Sequence, residues 1–348
     1  MDIKVNETPV RTSKNFRINN LQIENVNIPE NIVKFENIEI TQDGTEISND
    51  VSSNKLVYGN GDILENNVYN FANNTLKITS NKNKSNVKIV YTFDDENTVL
   101  VNNIELVAQK DVNVVIVYNS KTDKECFHNG IIKVKANSNV NANIQIVNLL
   151  NDNTYNFDAI ENDLYDKSNV KYTIVDIGGK YSISNYYSNI FGEGAKNDLK
   201  TIYLGVNSQI KDINYIAHLK GKDTVIDIDV QGALRDNTKK NFKGTIDFKR
   251  GCKGAKGDEN EFCMLLSPEA KSLALPMLLC TEDDVEGNHS TASGKVDEKS
   301  LFYIMSRGFS EKEAIKLIVK ARFTKIIERI KDEELRNVIL DEIDRRLI

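Results

Sequence analysis

The sequence predicts a mainly β protein that turns helical at its C-terminal end, and three observations predict it. From about Leu21 to Val285, short runs of Val, Ile, Leu and Tyr alternate with polar residues. No amphipathic helical pattern interrupts the stretch from Ile131 to Phe248. At Asp297 the texture changes to helical periodicity. Period-two alternation with β-branched enrichment reads as strands with one buried face.

The segments KVKANSNVNANIQIVNLL, KYTIVDIGG, KTIYLGV, DTVIDIDVQGAL and GTIDFKRG each carry that alternation. Asn, Asp, Gly and Ser punctuate them, supplying turns with local side-chain hydrogen bonds and tolerance for positive φ. Strands in such number without intervening helices exclude a doubly wound α/β sheet and leave a sandwich, a barrel or a β-solenoid. No strict residue-level repeat selects the solenoid from spacing alone. Residues 1–20 are polar and read as a loose arm. Residues 21–130 are Asn-rich but still strand-like, a bias in keeping with an A/T-rich genome.

The C-terminal segment has three helical signatures. Asp297 is an N-cap for a short helix in DEKSLFYIMSRG, with Arg307 in its last turn and Gly308 as a left-handed stop. Ser310 with Glu313 forms a capping box for a second helix, in which Ala314, Leu317, Ile318, Ala321 and Phe323 fall mostly on one face. In the third, Leu335, Ile339, Ile343 and Leu347 recur every four residues.

With 40% apolar and 28% charged residues, the 348-residue chain has the material for a sizeable core. A net charge of −6, with acidic and basic residues interspersed, argues against nucleic-acid binding, which needs clustered Lys and Arg. The first residues contain no apolar signal-peptide region, and no stretch approaches the ~18 apolar residues of a membrane span. The expected location is the cytoplasm. Four cysteines are too few to staple a fold of this length and are expected to be reduced there. Their use is metal chemistry or packing.

IGGKYS, at Ile177–Ser182, fails as a phosphate loop because Ile174 and Tyr181 stand where a glycine and a Ser or Thr are required. It reads as a turn between strands, as does GEGAKN at Gly192–Asn197. GCKGAKG, Gly251–Gly257, reads as a tight loop that brings Cys252 near something. Cys252, Cys263 and Cys280 share a short window while Cys126 is remote. Soft thiolates suit iron-sulfur clusters or zinc when strands make them converge, and a buried Cys is equally a small hydrophobe. His289, in VEGNHSTASGKVD, is a candidate metal ligand or proton acceptor with Asp283, Asp284 and Glu286 nearby, or an exposed loop residue. His128 and His218 have no such company. Asp227 and Asp229 alternate onto one strand face, so a β-helix carbohydrate-active enzyme is an alternative, and an interaction module is another.

The string PMLLCTEDDVEGNHSTASGKVDEKSLFYIMSRGFSEKEA, Pro276 to Ala314, resembles the C-terminal signature of the SufB/SufD iron-sulfur cluster assembly scaffold family. A Pro-led strand, an acidic DDV, a His followed by small residues, and then LFY and SRG appear in order, and the resemblance extends from about Lys171 to Phe323. It implies a right-handed parallel β-helix core (residues 21–296), a homodimer formed through that core, and a C-terminal helical subdomain (297–348) that docks a SufC-type ABC ATPase. Leu301, Phe302, Tyr303, Arg307, Phe309 and Phe323 are the expected docking residues. The chain itself is expected to be a non-catalytic scaffold without a nucleotide, ATP being hydrolysed in the partner. The implied cargo is a transiently bound cluster, [4Fe-4S], held by the thiolates of Cys252, Cys263 and Cys280 with one iron left open, and assisted by His289. His289 matches the family histidine near the assembly interface, but Asn288 and Ser290 flank it where SufB proteins carry glutamates. Cys263 lies about two residues from the SufB scaffold cysteine, an even offset that keeps the strand face. The cysteine trio looks most like the single-scaffold, minimal archaeal version of the system.

Overall fold

The computed structural model describes residues 1–10, 18–30 and 32–347. Strands and helices are numbered in chain order. Sheet I is built from β3 (Ile38–Asp43), β6 (Ser85–Phe93), β8 (Val112–Ser120), β10 (Asn141–Leu149), β12 (Asn169–Ile177), β14 (Lys196–Gly205), β16 (Val225–Leu234), β18 (Ala255–Leu265) and β20 (Val285–Lys295). Sheet II is built from β4 (Thr45–Ser48), β5 (Asn74–Ser80), β7 (Val99–Ala108), β9 (Phe127–Ala136), β11 (Tyr155–Leu164), β13 (Tyr181–Ile190), β15 (Ile210–Leu219), β17 (Lys239–Phe248) and β19 (Lys271–Cys280). From β5 onward the chain alternates between the sheets at every corner, and each strand pairs in parallel with the strand one turn away. The result is a two-sheet β-solenoid of about eight turns, as the resemblance implied.

The repeat that the sequence hides is visible in the register. Asn141 pairs with Asn169, 28 residues on, whereas Val225 pairs with Lys256, 31 on, and Lys239 with Lys271, 32 on. Corner length varies while strand register does not, so no fixed period survives. The corners are made by residues that accept positive φ: Lys84, Asn139, Lys167, Asn207, Asp223 and Asp236 all have φ of 54–63°. A hydroxyl next to such a residue ties the corner back to the carbonyl three residues earlier, at Ser85, Ser168 and Thr224 (2.5, 2.7 and 3.0 Å). Several asparagines form amide ladders, Asn143 donating to Asn113 and Asn113 to Asn86. Gly178 and Gly179 both have positive φ, and a Cβ at Gly178 would lie 1.8 Å from the Leu150 carbonyl oxygen. The IGGKYS segment is therefore a corner, as read from its sequence.

Alternation sorts side chains into lumen and exterior. The lumen stacks apolar and aromatic residues, with Tyr91 against Tyr118 and Tyr172, Tyr186, Tyr215 and Phe242 edge to face. Outside sheet I lie α3 (Glu311–Ile327) and α4 (Glu333–Arg346). Val319, Phe323, Ile326, Ile327, Ile339 and Ile343 bury themselves there against Val147, Val175, Ile202, Leu204, Ala233 and Met264. The capping box of Ser310 and Glu313 and the Asp297 N-cap are present as the sequence indicated, the latter starting α2 (Glu298–Met305). Leu335, Ile339, Ile343 and Leu347 are all buried, but Leu317 is exposed.

Outside sheet II, β1 (Ile3–Val5), β2 (Leu21–Ile23) and α1 (Asp62–Phe71) bury Ile3, Val5, Leu64 and Val68 against Val101, Ile131 and Phe157. The expected loose arm is thus docked where it is described; residues 11–17 lie outside the described residues. Asn6, with φ of 53°, donates to Asp212 Oδ1 (2.9 Å), while Lys243 donates to the Asn6 carbonyl (3.0 Å) and pairs with Asp212 (2.5 Å), all fully buried. The sequence misled here because two apolar residues in a polar segment suffice to dock a three-residue strand.

No helix among the described residues is long and apolar enough to cross a membrane. Truncating Phe323 to Ala should destabilise the protein by about 3–5 kcal/mol by opening a cavity between α3 and sheet I. Urea unfolding checks this, and an unchanged midpoint would mean that α3 contributes nothing to the solenoid.

Candidate functional site

The two ends of the solenoid differ. At the N-terminal end β3 and β4 pair antiparallel with β6 and β5 and cover the first turn. At the C-terminal end β19 and β20 have no further partner among the described residues, so their lumen-facing side chains line an open mouth. Register identifies those side chains: Ser272, Ala274, Pro276, Leu278 and Cys280 on β19, and Gly287, His289, Thr291 and Ser293 on β20. β19 is apolar on both faces, with Leu273 exposed on its outer side. Pro276 sits on this edge strand, where a missing N–H is tolerated.

The sequence-predicted ligands divide between the two corners of this mouth. Cys280 ends β19, is exposed, and donates to the Glu282 carbonyl (2.9 Å). Cys252 occupies the corner one turn beneath, fully buried. Burial pushes its thiol up, and the Glu282 carboxylate and the Cys280 thiol add to that. Cys263 lies at the far end of β18, eight residues beyond Ala255, which at ~3.3 Å per residue puts it roughly 26 Å from that corner. It faces the lumen beside Tyr203, Lys240 and Ser272, with Ser293 as its neighbour on β20, and burial raises its thiol as well. His289 is exposed midway between the corners. Cys126 is buried at a distant corner with its thiol pushed up to about 11 by burial. Among the described residues no three His, Cys, Asp or Glu side chains converge in a metal-binding group. The trio Cys252, Cys263 and Cys280 is therefore not brought to one point within a single chain, because a shared strand face does not shorten the strand.

The GCKGAKG loop is the corner that carries Cys252. Gly251 donates to Glu282 Oε2 (2.8 Å) and Gly254 to the Asp284 carbonyl (2.8 Å), which ties the corner to the acidic turn before β20. Asp227 and Asp229 face outward on β16, with Asp227 paired to Lys200 (2.5 Å) and Asp229 accepting from Gln231 (2.5 Å).

A column of polar residues that spacing did not reveal runs inside the solenoid. On sheet II, His128, Asn156, Ser182, Lys211, Lys240 and Ser272 are successive register neighbours; on sheet I, Tyr118, Asn148, Asp176, Tyr203, Gly232 and Cys263 are. His128 bonds Asn102 (2.9 Å) and Asn156 (2.5 Å), and burial holds its imidazole below the usual range. Lys211 donates to Asp176 (3.0 Å) and to the Gly178 carbonyl (3.1 Å). Nearest the mouth, Glu261 accepts from Lys240 (2.8 Å) and Tyr203 (2.9 Å), all three buried. Glu259, two residues earlier on the same face, is fully buried with neither oxygen partnered among the described residues. The signal for it was in the sequence: in AKGDENEFCML, Glu259, Glu261 and Cys263 share the parity of Ala255, hence one face.

Burial, and then the neighbouring Glu261, push the Glu259 carboxyl up to about 8 from an ordinary 4.5. The folded protein holds this proton up to about pH 8, whereas the unfolded chain releases it near 4.5. Between those values the folded state binds more protons, so stability falls as pH rises through the window and is level above it. Glu259→Gln removes that fall, so its melting temperature should exceed that of the parent by a margin that widens from pH 5 to pH 8.5. A margin independent of pH in differential scanning calorimetry would show that the carboxyl is not buried in solution.

The model of the family described as SUF system FeS cluster assembly, SufBD core domain, matches residues 91–322. The chain is 25% identical over 266 residues to the iron-sulfur cluster assembly protein SufD of Bacillus subtilis, covering 75% of this chain and 61% of that protein. It is 26% identical over 192 residues to an iron-sulfur cluster assembly SufBD family protein of Staphylococcus saprophyticus, covering 55% and 41% respectively. A SufBD family protein of Staphylococcus aureus is 25% identical over the same length. The chain thus spans about three-fifths of the first relative and two-fifths of the other two.

Proposed function

Because the chain belongs to the SufBD family of iron-sulfur cluster assembly proteins, we propose that it is a scaffold on which a nascent cluster, of the [4Fe-4S] type, is built and from which it is passed on. The observation that carries this reading is the open mouth, where the last two strands turn Cys280 and His289 toward the lumen with no further strand to cover them.

A cluster needs ligands within a few ångströms of one another, and thiolate and imidazole are suitable donors. One chain presents Cys280 at one corner of the mouth, His289 midway and Cys263 near the other corner. Two copies joined mouth to mouth supply two of each and let ligands from different chains meet. The apolar edge strand β19 is the natural surface for such a homodimer, because it matches the depletion of charge found in interface cores. Cys252, one turn deeper and fully buried, lies behind Cys280.

The ATPase-docking role rests on α2. This helix buries none of its residues, and Phe302 and Tyr303 are 74% and 59% exposed, with Met305 and Phe309 also exposed. A contiguous apolar patch of this kind marks a protein interface. Arg307 stacks on Tyr303 and adds a basic rim, and Leu301 is half-buried. Phe323, expected from the sequence to dock the partner, is 1% exposed and packed against sheet I, so it belongs to the core. The SufC-type ATPase would supply ATP hydrolysis, the scaffold itself performing none.

Anaerobic reconstitution with ferrous iron and sulfide should give the visible absorbance of a bound cluster, and Cys280→Ser should remove most of it. Full loading of both Cys280→Ser and the Cys252→Ser/Cys263→Ser/Cys280→Ser variant would sink the ligand assignment. Phe302→Asp with Tyr303→Asp should abolish co-purification with the ATPase without lowering the melting temperature, since both side chains are exposed. Retained co-purification would move the docking surface elsewhere.

A further inference from the structure

Glu259 is unusual among the charged residues of the lumen. Lys211 has Asp176, and Lys240 has Glu261. Glu259 has neither a cation nor a hydrogen-bond donor among the described residues, although it is fully buried. A carboxyl group so placed is costly unless something joins it.

The fold makes room for it. Gly244, across the lumen on β17, leaves the space the carboxyl occupies: a Cβ there would lie 2.1–2.3 Å from the carboxyl atoms. Glu261, whose Oε1 accepts from Lys240 and Tyr203, makes no hydrogen bond to Glu259. On the side of the mouth, the register neighbour of Glu259 is His289, one strand spacing of ~4.8 Å away. His289 faces the same lumen and is exposed. A carboxyl group thus lies directly beneath an accessible imidazole, with the Thr291 hydroxyl as the lumen-facing neighbour of His289.

We propose that Glu259 and His289 form a divalent-metal site at the mouth of the lumen, the point at which ferrous iron enters the scaffold. Oxygen and imidazole donors together suit divalent first-row metals, whereas Ca²⁺ asks for six to eight oxygens. Two protein ligands, with water completing the shell, make a weak site, as an entry point that passes its ion onward requires. The identification of the ion as iron rests on the scaffold reading; the site itself does not.

The test uses the full chain, free of metal, titrated with Mn²⁺ while the electron paramagnetic resonance of the free ion is followed. The intact protein should remove one Mn²⁺ per chain, and Glu259→Gln and His289→Ala should each weaken uptake at least tenfold. Cys280→Ser should leave it unchanged. Uptake by Glu259→Gln that superimposes on the parent overturns the proposal, as does the absence of uptake by the parent. Should Glu259→Gln misfold, His289→Ala decides alone, since His289 is exposed on an edge strand and its truncation leaves the core intact: lost uptake supports the site and retained uptake overturns it. A protein that binds Mn²⁺ but loads no cluster keeps this site and loses the scaffold reading; one that loads a cluster but takes up no Mn²⁺ does the reverse.

Discussion

Parallel pairing at a fixed register is the constraint on which the rest of this structure depends. Each strand lies one hydrogen-bonding step from its counterpart in the next turn, so every side chain sits directly over an equivalent one. Stacking of like on like follows: tyrosine over tyrosine, asparagine over asparagine, and in the lumen a polar residue over a polar residue from His128 to Ser272. The corners absorb all variation in length, which is why chain segments of different size build identical strands. Stacking also means that only the terminal turns have unsatisfied edges, and one of those edges carries the candidate site.

The sequence disclosed the elements better than the architecture. Alternation located the strands, and Asp297, Ser310 and Glu313 marked the helix starts because capping is a local interaction among adjacent residues. The solenoid was not legible from spacing, since repeats of 28, 31 and 32 residues share no period; a family resemblance supplied it. The arm was misjudged for a related reason. Asn6 docks through Asp212 and Lys243, residues more than two hundred positions away, and no local pattern announces such a partner.

The candidate site was legible in part. His289 and Cys280 do line the open mouth, at positions set by register. Cys263 and Cys252 were grouped with them because they are near in sequence, whereas a solenoid places such residues at opposite ends of a strand. Glu259 went unnoticed because a glutamate on a strand is usually solvated; its burial follows from parity with Ala255 and from the absence of a side chain at Gly244. Phe323 was misassigned because an aromatic residue on an amphipathic helix serves a core as readily as a partner, and only its packing on sheet I decides.

The covering strands β3 and β4 carry Glu39, Asp43 and Glu46 on exposed positions, while the opposite edge, β19, is apolar. Acidic side chains at one end and an apolar edge at the other oppose head-to-tail contact between two such ends, and they do so where bare parallel strand edges would otherwise template growth.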